Sequence, residues 1–123
     1  MRVQPMVVVH DVPAASTWFQ QVVGLTSGHG GDEYEMLMDG DVLVAQLHHW
    51  DEHDHPHLGD PDDPSRGNGV VLWFAVDDFD DAVGRVEASG SDVLDGPHVN
   101  PNSHQREVWV RGPDGYTVVL AGS

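Results

Sequence analysis

The chain of 123 residues has no cysteine and no lysine, and its only permanent cations are five arginines. Without cysteine there are no disulfides, no thiolate zinc sites and no thiol nucleophiles. Against those five arginines stand 21 aspartates and glutamates, a formal net charge of −16 with histidine neutral. Such a chain repels a phosphate backbone, so neither nucleic acid nor an anionic membrane surface is expected as a partner. No apolar run approaches the roughly 18 residues of a membrane span. The opening Met1-Arg2-Val3-Gln4-Pro5 lacks a charged start followed by an apolar stretch. No secretion signal is therefore expected, and cytoplasmic is the default compartment. There is no Gly-rich phosphate loop, and no serine lies in a nucleophile elbow. The acidic surplus reads first as a solvated, solubilising surface and second as an attraction for cationic ligands. Protonating all nine histidines would bring the charge to about −7, so behaviour should vary across mildly acidic pH.

What is present is periodic. Val3 to Val9 is β-branched and apolar and reads as a buried strand. Asp11-Val12-Pro13 supplies a capping acid and a proline for the first helical turn. Ala14, Ala15, Trp18, Phe19, Val22 and Val23 then recur at helical spacing, and Gly24 closes the helix. Leu25 to Gly31 reads as a short strand and turn. Tyr34 to Met38 and Val42 to His48 read as strands joined around Asp39-Gly40, a hairpin signal. From His49 to Asn68 the chain is almost without apolar residues, which marks a long loop or linker.

The second half repeats the order. Val70 to Val76 is an apolar strand, Asp77-Asp78 can cap a helix, and Phe79, Ala82, Val83 and Val86 make its apolar face before Gly90. Asp92 to Leu94 reads as a short strand. Glu107 to Arg111 and Tyr116 to Leu120 read as strands paired around Gly112-Pro113-Asp114-Gly115. An internal repeat of this length points to two βαβββ units that bury a shared core. The expectation is one α+β domain over residues 1–123. Module one falls at about 3–48, a His/Asp-rich linker at 49–68, and module two at 69–121.

Val7-Val8-Val9-His10-Asp11-Val12, followed by Trp18-Phe19 and Val23-Gly24-Leu25, resembles the opening of the vicinal oxygen chelate superfamily, that of glyoxalase I, bleomycin-resistance proteins and extradiol dioxygenases. Phe74-Ala75-Val76-Asp77-Asp78 resembles the start of its second module, and Arg106 to Tyr116 its closing hairpin. The resemblance implies paired βαβββ modules forming a cupped mixed sheet, and commonly a homodimer. It also implies one metal ligand on each of four strands in the metal-dependent members, usually His, Glu or Gln. Those positions fall here on Gln4, Gln46, Val71 and Val119. Valine cannot ligate, and two neutral amides make a poor divalent site. No cofactor is therefore expected; a divalent metal, if present, would use Gln4, Gln46 and His48, since alternation gives Gln46 and His48 one face.

Alternation likewise places Trp73 with Val71, and Trp109 and Tyr34 are strand aromatics that could wall a cavity. The residues expected to bind a small-molecule ligand are Gln4, Tyr34, Gln46, His48, Trp73 and Trp109; core packing is the competing fate of each aromatic. No catalytic residue can be assigned. His48, His49, His53, His55 and His57 stand among Asp51, Glu52 and Asp54; they read as a linker tract, with chelation or a lid as alternatives. His98, Asn100, Asn102, His104, Arg106 and Glu107 form a polar run, either a pocket rim or an ordinary connection. The leading expectation is a binding protein for a small molecule without the usual catalytic metal, the acidic charge suiting a cationic ligand. The alternatives are a metal-dependent lyase, isomerase or dioxygenase with a noncanonical site, and an accessory dimerisation or interaction domain.

Overall fold

The computed structural model describes residues 1–50, 55–65 and 67–123. His53, Asp51, Glu52 and Asp54 of the histidine-rich tract lie outside them. The chain divides into two compact units, residues 1–20 with 24–66 and residues 21–23 with 67–123. Each holds a four-stranded mixed sheet, and each sheet follows from a period-two pattern that supplies one apolar face to a helix.

The first unit runs β1 (Met6–Val9), α1 (Val12–Val23, its last three residues belonging to the second unit), β2 (Thr26–Ser27), β3 (Tyr34–Asp39) and β4 (Val42–His49), in sheet order β1-β4-β3-β2. β1 lies parallel to β4, with Met6 opposite Gln46 and Val8 opposite His48. β3 and β4 are antiparallel and place Tyr34 opposite His48 and Met36 opposite Gln46. Val7, Val9, Leu37, Ala45 and Leu47 are buried, as are Val12, Ala15 and Phe19 of α1. The Asp11 carboxylate accepts the Ala14 N–H at 3.0 Å and starts α1. The first strand begins at Met6 rather than Val3; residues 1–5 are exposed, and Pro5 has no N–H to give a ladder.

The second unit runs β5 (Val71–Ala75), α2 (Phe79–Ser89), β6 (Val93–Val99), β7 (Arg106–Arg111) and β8 (Thr117–Gly122), in order β5-β8-β7-β6. Asp78, the second of the two capping candidates, accepts the Asp81 N–H at 3.0 Å. Gly24 and Gly90 end the two helices in the left-handed region, at φ 88° and 66°. Arg106 lies over the Phe79 ring and pairs with Asp80, so the β7 face bearing Arg106, Val108 and Val110 is the one turned to α2. Glu107 and Trp109 therefore face away from the helix. β6 is longer than the Asp92–Leu94 expected from sequence. It carries Gly96-Pro97 through two register irregularities, which an edge strand tolerates because its outer side needs no ladder bonds.

Candidate functional site

On the first sheet, the face turned away from α1 carries Met6, Tyr34, Met36, Gln46 and His48. Three of the expected ligand-binding residues meet here in adjacent rows. The Tyr34 hydroxyl donates to Gln46 Oε1 at 2.6 Å. The Gln46 amide donates to the Gln4 backbone carbonyl at 3.1 Å. Both polar atoms of the Gln46 side chain are thus engaged within the protein. Gln4 itself precedes the strand and is exposed; Met6, not Gln4, stands opposite Gln46.

The His48 ring donates from Nδ1 to the His49 carbonyl at 2.7 Å, which leaves Nε2 as the ring nitrogen not committed to that bond. The ring stacks on His49, with centroids 5.3 Å apart, and meets the His55 ring edge-on at 5.2 Å. His49 in turn faces Glu33 at 3.8 Å. Among the described residues, no group of three or more His, Asp or Glu is arranged to hold an ion.

On the second sheet, the register sets Trp73 opposite Val119 and Val119 opposite Trp109. The two indoles meet edge-to-face at 6.2 Å, a geometry their quadrupoles favour. Val119 in the same row is fully buried, whereas Trp73 remains 48% exposed and Val71 42%. A large aromatic half in solvent beside an aliphatic neighbour is unusual for plain core packing.

Each sheet also carries a buried carboxylate, Glu35 on the first and Glu107 on the second. Sequence reasoning did not single out Glu35 and met Glu107 only as part of a polar run. Glu35, on the α1 side of β3, accepts from the Ser16 and Ser27 hydroxyls and from the amides of His29, Gly30 and Met36. Burial works against its charge. The Ser27 hydroxyl, the Gly30 and His29 amides and the Ser16 hydroxyl outweigh that and bring its pKa to about 2. Glu107, on the open side of β7, accepts from Trp109, His98 and Asn100. The missed signal was a break in alternation: a carboxylate at Glu35 shares its strand face with Leu37, where an apolar residue is expected.

Residues 3–120 match the model of the Glyoxalase/Bleomycin resistance protein/Dioxygenase superfamily, and the chain belongs to that superfamily. No curated protein matches it by sequence. Solved structures with the same fold include a protein of unknown function from Agrobacterium tumefaciens str. C58, with a TM-score of 0.80 and 17% identity over 100% of this chain and 94% of that one. A glyoxalase/bleomycin resistance protein/dioxygenase family enzyme from Burkholderia phytofirmans PsJN has a TM-score of 0.77 and 19% identity, over 95% of this chain and 94% of that one. The fosfomycin resistance protein FosX from Mesorhizobium loti has a TM-score of 0.71 and 14% identity, over 100% and 92%. At these identities the likeness is one of fold.

Proposed function

We propose that this protein binds a small organic molecule against the open faces of its sheets and does so without the divalent ion of its metal-dependent relatives. The row Trp73–Val119–Trp109 carries this reading. A metal-dependent member would present a ligand at the Val119 position, whereas here an aliphatic side chain is buried in a row with two indoles. The remaining donors do not fit an ion either. Val71 has no donor atom, and the Gln46 amide is spent on Tyr34 and Gln4. A catalytic divalent ion needs several His or carboxylate ligands at fixed geometry. What the faces offer is aromatic area with a few oriented polar groups, the pattern of an organic-molecule site. Tyr34, Gln46 and His48 serve this role on the first sheet, with Gln4 at its margin, and Trp73 and Trp109 on the second.

The acidic charge favours cationic guests, and exposed indoles attract cations over their faces. A thermal-shift screen of basic antibiotics against aromatic acids at low salt tests the reading. Stabilisation by aromatic cations, weakened by Trp73→Ala, is expected; indifference to both groups would overturn it. One observation favours the second reading, a metal-assisted enzyme. His48 keeps Nε2 available beside His49 and His55. Stoichiometric metal after dialysis, lost on His48→Ala, would replace our reading with that one. A homodimer is the assembly we expect, and the superfamily's habit is its support.

A further inference from the structure

Glu107 is only 3% exposed, yet it lies on the open face of β7 and holds three donors. Its carboxylate accepts from Trp109 Nε1 at 2.9 Å, from Asn100 Nδ2 at 3.2 Å and from His98 Nε2 at 3.1 Å. The other ring nitrogen of His98, Nδ1, lies 2.8 Å from the Gly96 carbonyl. A carboxylate and a carbonyl can only accept. Both bonds form together only when both ring nitrogens carry hydrogen, which is the imidazolium. Neutral His98 has one hydrogen and must release either Gly96 or Glu107.

The surroundings favour the charged ring. On its own strand, Asp95 approaches Nδ1 at 3.7 Å; across the pair stands Glu107. The connecting loop adds Asn100 and carries His104, whose backbone N–H bonds the Asn100 carbonyl. β8 places Ala121 opposite Glu107 and so contributes no titrating group. The neighbouring cation, Arg106, is committed elsewhere, to Asp80 and the Ser123 carbonyl. The Gly96 carbonyl raises the His98 pKa from its ordinary value, burial opposes this, and Asp95 and Glu107 add to the rise. The Trp109 indole lowers that of Glu107, burial opposes this, and Asn100 and His98 add to the lowering. Both shifts favour the charged pair.

We propose that His98 and Glu107 are positioning residues for Trp109: their ion pair clamps the indole in its edge-to-face setting against Trp73, and loss of the His98 proton loosens the clamp. This rests on the proposed function only in giving Trp109 a guest to face. The clamp itself is a property of the unliganded chain, and the readout needs no ligand.

The test is a ¹H–¹⁵N NMR titration of the full chain from pH 5 to 9. It follows the Trp109 indole N–H resonance, assigned by its disappearance in Trp109→Phe. We expect the resonance to move in one step with a midpoint above the ordinary histidine value of about 6.5, and to stay still across the same range in His98→Gln. Should His98→Gln fail to fold, Glu107→Gln keeps an acceptor for the indole but removes the charge that holds the imidazolium. Its midpoint should fall below that of the wild type. A resonance that does not move in the wild type, or a midpoint unchanged in the variant that folds, would overturn the clamp. Failure of the ligand screen with a normal indole titration would overturn the functional reading alone.

Discussion

The buried carboxylate of Glu35 gives the sharpest energetic prediction. Its two oxygens divide their work. Oε1 accepts three backbone N–H groups, from His29 at 3.0 Å, Gly30 at 2.8 Å and Met36 at 2.9 Å. Oε2 accepts two hydroxyls, from Ser16 at 2.9 Å and Ser27 at 2.7 Å. The side chain thereby ties the loop after β2 to β3 and α1. A folded pKa of about 2 against an ordinary 4.5 corresponds to roughly 3 kcal/mol of stability at neutral pH. Because the folded value is the lower one, that contribution is complete above the unfolded pKa and is lost as pH falls through the folded pKa. By pH 3 roughly 2 kcal/mol of it is gone. Glu35→Gln is the informative change. Its carbonyl oxygen can still take the three amides, and its NH₂ can meet hydroxyls turned to accept, so what disappears is the charge. We expect a loss of about 1–2 kcal/mol at pH 7 and convergence with the wild type near pH 3. Glu35→Ala strands all five donors and should cost roughly 3–5 kcal/mol. Urea unfolding at pH 7 and pH 3 measures both. Equal stability of Glu35→Gln and wild type at pH 7, or parallel losses on acidification, would refute the reasoning.

Other tests probe how the fold is held. Asp11→Ala and Asp78→Ala should each cost about 1 kcal/mol in urea unfolding, because each removes the acceptor of a first-turn N–H. Two glycines should respond with opposite sign. A Cβ on Gly122 would stand 2.9 Å from the Val76 carbonyl oxygen, so Gly122→Ala should destabilise by roughly 1–3 kcal/mol. Gly84, inside α2, has open space around its Cβ position, so Gly84→Ala should raise stability by about 0.5–1 kcal/mol.

Much of the fold was legible because its signals are local. Asp11 and Gly24 bracket α1, and the Asp39-Gly40 turn joins two alternating strands. The ends of strands were harder. Gly96-Pro97 reads as a break, yet β6 continues through it because the outer side of an edge strand has no ladder to satisfy. On the site, period-two alternation grouped Gln46 with His48 and Trp73 with Val71 as the registers place them. It could not give Gln46 its partners: the Tyr34 hydroxyl and the Gln4 carbonyl depend on register and rotamer. Nor could it show that Glu35 and Glu107 are buried. Glu35 only breaks the alternation of its strand and Glu107 sits in a polar run, until the fold brings donors from distant positions, Ser16 for the one and His98 for the other.

The most direct test combines metal analysis with binding. Protein dialysed against a chelator would be assayed for transition metals and titrated with the strongest guest from the screen, by calorimetry, before and after metal is restored. We expect metal far below one ion per chain and the same affinity in both states, with binding weakened by Trp73→Ala. One tightly held ion per chain, and affinity that appears only on its return, would contradict a site in which Val71 and Val119 stand where ligands would be.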